Sequence, residues 1–313
     1  MIKNNRPSSL EEFIGQENLK TNLKIAIKSS LVQKKPLSHI LLYGGPGKGK
    51  TSLGKIISFE MKTNFRSTSG SLLQKTTDIT SLFASIKEND VVFIDEIHAI
   101  NHSLEEMFYT VMEDYMMDLI IGEGSSAKIV KISIPPFTLI CATTKYGQLS
   151  EPFRHRFNLT FRLEDYNISE LSKIIKNFFF RNNIKVKEED LFYEIAIRSK
   201  NTPRLALTLS SRILDFFYGE NHKLLDKELV IKSTKIIGID NKGLNILDLS
   251  YLKLFIKYNV LGIETISGYL QESINTIEET IEPYLMRINF IKKTPRGRVL
   301  TEEGLKHIKN III

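Results

Sequence analysis

The sequence predicts an α/β fold: a parallel sheet in its first half, then a small helical region and a winged-helix-like tail. Three observations predict it. Short β-prone runs alternate with helical patterns as far as Tyr166, the arrangement that builds a parallel sheet with helices on its faces. Beyond Tyr166 the apolar period turns helical, placing Leu171, Ile174, Ile175, Phe178 and Phe179 on one face. The tail closes on two short β-prone runs around a Pro-Arg-Gly turn. With 313 residues, 42% hydrophobic and 25% charged, the composition is globular and excludes disordered and fibrous classes.

The strands read in order as His39 to Tyr43 (HILLY), Val91 to Asp95 (VVFID), Thr138 to Thr143 (TLICAT) and Leu159 to Leu163 (LTFRL). Three of these runs are nearly all apolar, as strands covered on both faces are. Asn64 to Thr68 is a weaker run of the same kind. Between Tyr115 and Pro135, two β-prone stretches flank GEGSSA and read as an inserted hairpin at about 116–134. Helical patterns follow at 188–200 and 203–218; a turn-rich break from Gly238 to Gly243 precedes three more, at about 246–258, 263–271 and 274–288. The expected domains are therefore 1–166, 167–238 and 239–313.

Cys141 is the only cysteine, which excludes an internal disulfide and any cysteine-rich zinc site. No apolar run approaches the roughly 20 residues that cross a bilayer, and MIKNNRPSS has no apolar signal core. The expectation is a soluble, cytoplasmic protein without a membrane partner. Lys and Arg number 43 against 36 Asp and Glu, a net charge of +7 that a polyanionic partner would suit but does not require.

The strongest motif is Gly44-Gly45-Pro46-Gly47-Lys48-Gly49-Lys50-Thr51, which follows HILLY and opens a helical pattern, Ser52 to Met61. Its form is G-x-x-x-x-G-K-[ST], a loop whose backbone N–H groups curl around phosphate oxygens at a helix N-terminus. Lys50 is placed to bridge the β- and γ-phosphates, and Thr51 to put its hydroxyl on Mg²⁺. Gly47, Gly49 and Ser52 complete the cradle. Downstream, the apolar strand VVFID ends in Asp95-Glu96. Asp95 suits the Mg²⁺ shell and Glu96 the polarisation of an attacking water. His98 and His102 are read as surface histidines, since Ala99 stands where a zinc-protease motif needs Glu.

With these motifs, Thr143-Thr144 and Phe153-Arg154-His155-Arg156-Phe157, the chain resembles an AAA+ ATPase. More narrowly it resembles the RuvB family of Holliday junction branch-migration motors. The matches run collinearly from Arg6-Pro7 and Phe13-Ile14-Gly15-Gln16 through Ile94-Asp95-Glu96-Ile97-His98 and Met112-Glu113-Asp114-Tyr115. They continue through Pro135-Pro136-Phe137-Thr138-Leu139-Ile140 and Thr202-Pro203-Arg204 to Thr294-Pro295-Arg296-Gly297-Arg298. Three departures are Asn201 for a usual Gly, Ala99 for a usual basic residue and Cys141 for a usual Gly.

The resemblance implies an AAA+ P-loop ATPase domain with a parallel sheet, a small helical lid domain and a C-terminal winged-helix domain. It implies ATP and Mg²⁺, with Thr144 as the polar sensor and Arg156 as the arginine finger given to a neighbouring subunit. Arg154, in the same segment, is the weaker candidate for the finger. Arg204 resembles the lid sensor, Arg6, Ile14 and Tyr166 would line the nucleotide cleft, and Glu113, Asp114 and Tyr115 belong with the nucleotide-binding residues. The implied partners are double-stranded DNA or a Holliday junction, a RuvA-like protein docking on the hairpin, a RuvC-like resolvase, and further copies in a hexameric ring. Met116, Leu119, Ile120 and Ile121 either form that docking surface or pack against their own domain.

Residues 240–313 hold ten Lys and Arg against nine Asp and Glu, yet Arg287 to Arg298 carries five basic residues and no acid. The preceding helical pattern carries Glu278, Glu279 and Glu282, which phosphates would repel. The turn is the better DNA contact, through Lys293, Arg296 and Arg298 on the backbone without base readout. Two rival functions are a clamp-loader-like subunit and an ATP-gated DNA-binding scaffold that does not translocate. A basic wing in place of a helical collar disfavours the first, and Glu96, Thr144 and Arg156 together disfavour the second.

Overall fold

A computed structural model describes residues 6–121 and 128–312. The chain divides into two compact units, one of residues 1–170 with 202–204 and one of residues 171–201 with 205–313.

In the first unit, α1 (Glu17–Gln33) precedes β1 (Ile40–Tyr43), and α2 (Lys50–Glu60) leads to β2 (Phe65–Ser69). Then come α3 (Thr76–Ala84), β3 (Val91–Asp95), α4 (His102–Asp114), β4 (Met116–Ile121) and β5 (Lys128–Ser133). The unit ends with β6 (Thr138–Thr143), α5 (Glu151–His155) and β7 (Leu159–Arg162). Five strands form one parallel sheet in the order β2-β3-β6-β1-β7. The weak run near Asn64 is one of its two edge strands, β2.

Side chains alternate across this sheet because strand periodicity is two. Leu41, Val92, Ile94, Leu139 and Cys141 face one apolar cluster, with Phe83, Phe108 and Phe153. Ile40, Leu42, Val91, Phe93, Ile140 and Ala142 face another, with Leu23, Leu53 and Ile57. Both faces are covered, which explains why β6 is buried throughout. Gly54 of α2 lies so close to the sheet that a Cβ would meet Phe93 Cδ2 at 2.6 Å.

β4 and β5 pair antiparallel, Met116 opposite Ser133, and form the expected hairpin; its turn, 122–127, lies outside the described residues. Of the two alternatives open for its apolar residues, packing against their own domain holds for part of the first strand. Met117 is buried and Leu119 packs on the core, whereas Val130 and Ile132 of β5 are exposed. Met116 is half-buried, and the side chains of Ile120 and Ile121 lie outside those described.

The second unit holds most of α6 (Ile168–Arg181), α7 (Leu191–Ile197), most of α8 (Pro203–Gly219) and α9 (Lys227–Ile237). It continues with α10 (Ile246–Lys257), α11 (Ile263–Leu270) and α12 (Ile274–Thr276), whose chain passes through a π turn, Ile277–Ile281, into α13 (Glu282–Arg287). The antiparallel pair β8 (Ile291–Thr294) and β9 (Gly297–Leu300) and then α14 (Glu302–Ile312) close the chain. Leu252, Phe255, Ile266, Ile281, Leu285 and Ile308 form the core of the closing part. Two helices escaped the sequence reading, α9 and α14; the apolar end Asn310-Ile311-Ile312 is the last turn of α14. Lys200 pairs with Asp248, which ties the helical part to the winged part within this unit, and His307 pairs with Asp240 at 2.8 Å.

Candidate active site

The C-terminal ends of β1, β3 and β6 lie side by side, since Tyr43 aligns with Thr143 and Ile94 with Cys141. In open parallel sheets, ligands gather at such ends. The loop from Gly44 to Gly49 turns from β1 into α2, whose first residue is Lys50. Gly44 has φ 138°, and a Cβ there would stand 2.7 Å from the Leu163 carbonyl oxygen, so only glycine fits. Gly47, with φ 75°, passes equally close to Thr202 and Arg204.

Lys50 Nζ donates to the carbonyls of Gly44 at 2.8 Å and Gly45 at 3.1 Å. Burial holds this ammonium below its ordinary pKa, while Glu96 and Asp95 oppose the shift. Thr51 Oγ1 donates to Asp95 Oδ2 at 3.0 Å, bringing a hydroxyl and a carboxylate together at the helix start. Ser52 follows in the same turn, half-buried.

Glu96 adopts a left-handed φ of 46°, which turns its side chain from the strand axis toward β6. Its Oε2 accepts from the Thr144 backbone N at 3.2 Å and Thr144 Oγ1 at 3.0 Å. His98 Nδ1 lies 3.2 Å from the same oxygen and 2.9 Å from Thr143 Oγ1. The expectation that His98 is a surface histidine is corrected: its side chain is 15% exposed and touches both Glu96 and Thr143. The sequence signal was its place two residues after Glu96, made effective only by the left-handed turn. His102 is exposed and pairs with Glu105.

The segment after β7 closes the loop's other side. Lys48 Nζ pairs with Asp165 at 2.8 Å and donates to Leu163 O at 3.1 Å. Tyr166, 2% exposed, donates its hydroxyl to Lys48 O at 3.2 Å, and burial pushes its phenol pKa up. Gln16 and Glu164 exchange two hydrogen bonds of 2.9 Å, anchoring the stretch that carries half-buried Ile14. Arg204 N donates to Gly47 O at 3.3 Å, and the Arg204 side chain is exposed. Arg6 is exposed at the first described position.

Arg156 does not join this group but lies over α4. Its guanidinium stands 3.7 Å from the Tyr109 ring centroid, Nη1 donates to Pro152 O at 2.8 Å, and Nε is 3.2 Å from Glu113 Oε1. Arg154 lies 4.9 Å over Tyr146. Of the expected nucleotide residues at the end of α4, Glu113 faces Arg156, Asp114 is exposed, and Tyr115 packs its ring edge toward Phe137 and His39.

The basic turn of the tail is a real hairpin, but two of its three cations face inward to the acidic helix. Arg298 donates to Glu282 Oε1 at 2.8 Å and to Glu278 Oε1 at 2.8 Å. Lys293 pairs with Glu282 at 2.9 Å and Glu278 at 3.1 Å. Glu282 is fully buried and also accepts from the Tyr251 hydroxyl at 3.0 Å. Arg296 at the tip is exposed and has no ion-pair partner among the described residues. Glu282 and Tyr251 were not foreseen as partners of the turn.

A hydroxyl, a carboxylate and a short basic loop at one sheet edge suit a nucleotide with a divalent cation. Among the described residues no group of three His, Cys, Asp or Glu could hold a metal alone. One carboxylate and one hydroxyl fit Mg²⁺, which keeps waters and takes phosphate oxygens.

Three family models match consecutive parts of the chain. Residues 5–163 match the Holliday junction DNA helicase RuvB P-loop domain, 166–240 the RuvB AAA lid domain and 241–309 the RuvB C-terminal winged helix domain. The chain is 45% identical over 308 residues to the Holliday junction branch migration complex subunit RuvB of Ehrlichia chaffeensis, covering 97% of this chain and 93% of the relative. To the subunit of the same name from Wolbachia sp. subsp. Brugia malayi it is 46% identical over 306 residues, covering 97% and 94%. The solved Thermotoga maritima RuvB Holliday junction branch migration motor superposes with a TM-score of 0.85 at 37% identity, covering 97% of this chain and 98% of the other. The chain is a nucleotide-binding P-loop protein and belongs to the RuvB family.

Proposed function

We propose that this chain is an ATP-driven motor that moves Holliday junctions along double-stranded DNA, working as a hexameric ring in the cytoplasm. The observation that carries the reading is the convergence of Lys50, Thr51, Asp95, Glu96 and Thr144 at three adjacent strand ends. Among the described residues no helix is long and apolar enough to cross a membrane, in keeping with action on DNA.

The loop N–H groups from Gly47 to Thr51 receive the phosphates, and Lys50 trades its two carbonyl partners for phosphate oxygens. Thr51 and Asp95 would hold Mg²⁺, which when bound neutralises charge on the β- and γ-phosphate oxygens. Glu96 orients the attacking water and takes its proton; of its oxygens, only Oε2 accepts hydrogen bonds among the described residues. Thr144, already bonded to Glu96, couples that carboxylate to the γ-phosphate. Arg156 reaches the neighbouring subunit's ATP, where a fork of donors stabilises transition-state charge. Arg204, beside the loop at Gly47, reports nucleotide state to the helical region, while Arg6, Ile14 and Tyr166 enclose the base and ribose.

The hairpin 116–134, with Val130 and Ile132 exposed, is the docking surface for a RuvA-like partner. A RuvC-like resolvase would act on the same junction. Arg296 leads the phosphate contacts, with Lys293 and Arg298 beside it. The winged tail in place of a helical collar sets aside the clamp-loader alternative.

Mixing separates a shared site from a private one. DNA-stimulated ATP turnover should vanish in Lys50→Ala and in Arg156→Ala, and return in part when the two are mixed. Turnover indifferent to DNA and intact in Arg156→Ala would leave an ATP-gated binding protein as the better account.

A further inference from the structure

We infer that Tyr109 and Glu113 of α4 are positioning residues that hold Arg156 ready for the neighbouring subunit. The inference rests on the reading of Arg156 as the finger acting in trans. It begins from the cost of holding a long side chain still: arginine loses about 2 kcal/mol of rotamer entropy when fixed. A finger that must be ordered only at the moment of reaction adds that cost to the barrier.

The structure places three restraints on this guanidinium. Its face lies on the Tyr109 ring at 3.7 Å, a cation–π contact that fixes the plane. Nη1 is tied to Pro152 O at 2.8 Å. The Nε edge faces Glu113 Oε1 at 3.2 Å as an ion pair, without the alignment of a hydrogen bond. Nη1 alone of the guanidinium nitrogens donates a hydrogen bond among the described residues. The side chain is 22% exposed, so the fork is held from one side and offered from the other.

Tyr109 is itself fixed. Its hydroxyl lies 3.2 Å from Ser150 Oγ, and its ring stacks on Phe153 at 6.2 Å between centroids. Ser150 caps α5 by accepting from Phe153 N at 3.3 Å, and its hydroxyl donates to the buried carboxylate of Glu105 on α4. Thus α4 grips the start of α5 through Ser150 and its end through Arg156. A tyrosine and a glutamate one helical turn apart on α4, at i and i+4, make the cradle.

The test is steady-state ATP turnover of the full chain on double-stranded DNA. Tyr109→Leu should lower kcat by about 10- to 100-fold, the loss expected from misplacing a catalytic group by an ångström, with KM for ATP little changed. Tyr109→Phe keeps the ring face and should recover most of that loss. Glu113→Gln, at an exposed position, should lower kcat about three- to tenfold and serves if Tyr109→Leu folds poorly. Mixing Tyr109→Leu with Glu96→Gln subunits should raise turnover above the sum of the two alone, because Glu96→Gln subunits keep Arg156 on its Tyr109 cradle, which Tyr109→Leu subunits have lost. Unchanged kcat in both Tyr109→Leu and Glu113→Gln, or a loss that mixing does not relieve, would overturn the positioning role. Full activity in Arg156→Ala would instead remove the finger reading beneath it.

Discussion

Replacing Arg298 with Met should loosen the winged part of the chain before it affects any DNA contact. Glu282 is fully buried, and Arg298 supplies two of its hydrogen bonds, 2.8 Å to Oε1 and 3.3 Å to Oε2. Breaking a buried ion pair by removing one partner costs about 3–5 kcal/mol, because the remaining charge stays desolvated. Here Lys293 at 2.9 Å and the Tyr251 hydroxyl at 3.0 Å remain on Glu282. Burial and the neighbouring Glu282 charge push the Tyr251 phenol pKa up, so it stays a neutral donor. The loss is therefore smaller, about 2–3 kcal/mol, or about 30- to 150-fold in an opening equilibrium. Hydrogen exchange of the α10 and α13 amides in the full chain reads that change directly. Glu282→Gln added to Arg298→Met should restore most of the protection, since no buried charge is then left alone. Exposed Arg296→Met should change exchange little. Protection unaltered in Arg298→Met, or a double variant as loose as the single, would show that the buried Glu282 charge does not hold the wing together.

Other consequences follow from particular contacts. His39 accepts from Leu139 N at 2.9 Å and donates through Nε2 to Met112 O at 3.1 Å, and burial drives its pKa down to about 4. The native imidazole stays neutral while the unfolded one takes a proton below its ordinary 6.5. Stability from this group is complete above that pH and falls as pH drops toward 4, by about 2 kcal/mol at pH 5. Urea unfolding of wild type and His39→Gln at pH 7.5 and pH 5 should show a smaller pH loss in the variant. Gly44→Ala should abolish ATP binding in a fluorescent-nucleotide titration, since its Cβ would collide with Leu163 O at 2.7 Å. Arg296→Ala should weaken DNA binding alike on all sequences and lower the salt-dependence slope by about 1, as measured across a salt series.

The parallel sheet was legible because its strands are local facts. VVFID and TLICAT are continuous apolar runs, and burial on both faces demands them. The phosphate loop was legible because the close approach to Leu163 leaves only glycine at position 44. Helix α9 was missed because its buried stripe includes Ser233 and Thr234, whose hydroxyls bond within the helix and blunt the apolar period. Helix α14 was missed because only Ile308 of its described residues is a buried large side chain. His98 joins Glu96 through a left-handed turn and the register of β6, neither visible in a window of sequence. The ion pairs of the wing were hidden in the same way. Five cations without an acid between Arg287 and Arg298 look free until the hairpin lays two of them on Glu278 and Glu282.

The proposed function requires ATP turnover at Glu96 to move DNA junctions. Its most direct test is strand exchange in a synthetic four-way junction, with a RuvA-type partner, ATP and Mg²⁺, comparing wild type with Glu96→Gln. The expected result is ATP-dependent conversion by the wild type and none by Glu96→Gln, which should still bind ATP and the junction. Conversion that proceeds without ATP, or that survives Glu96→Gln, would contradict it.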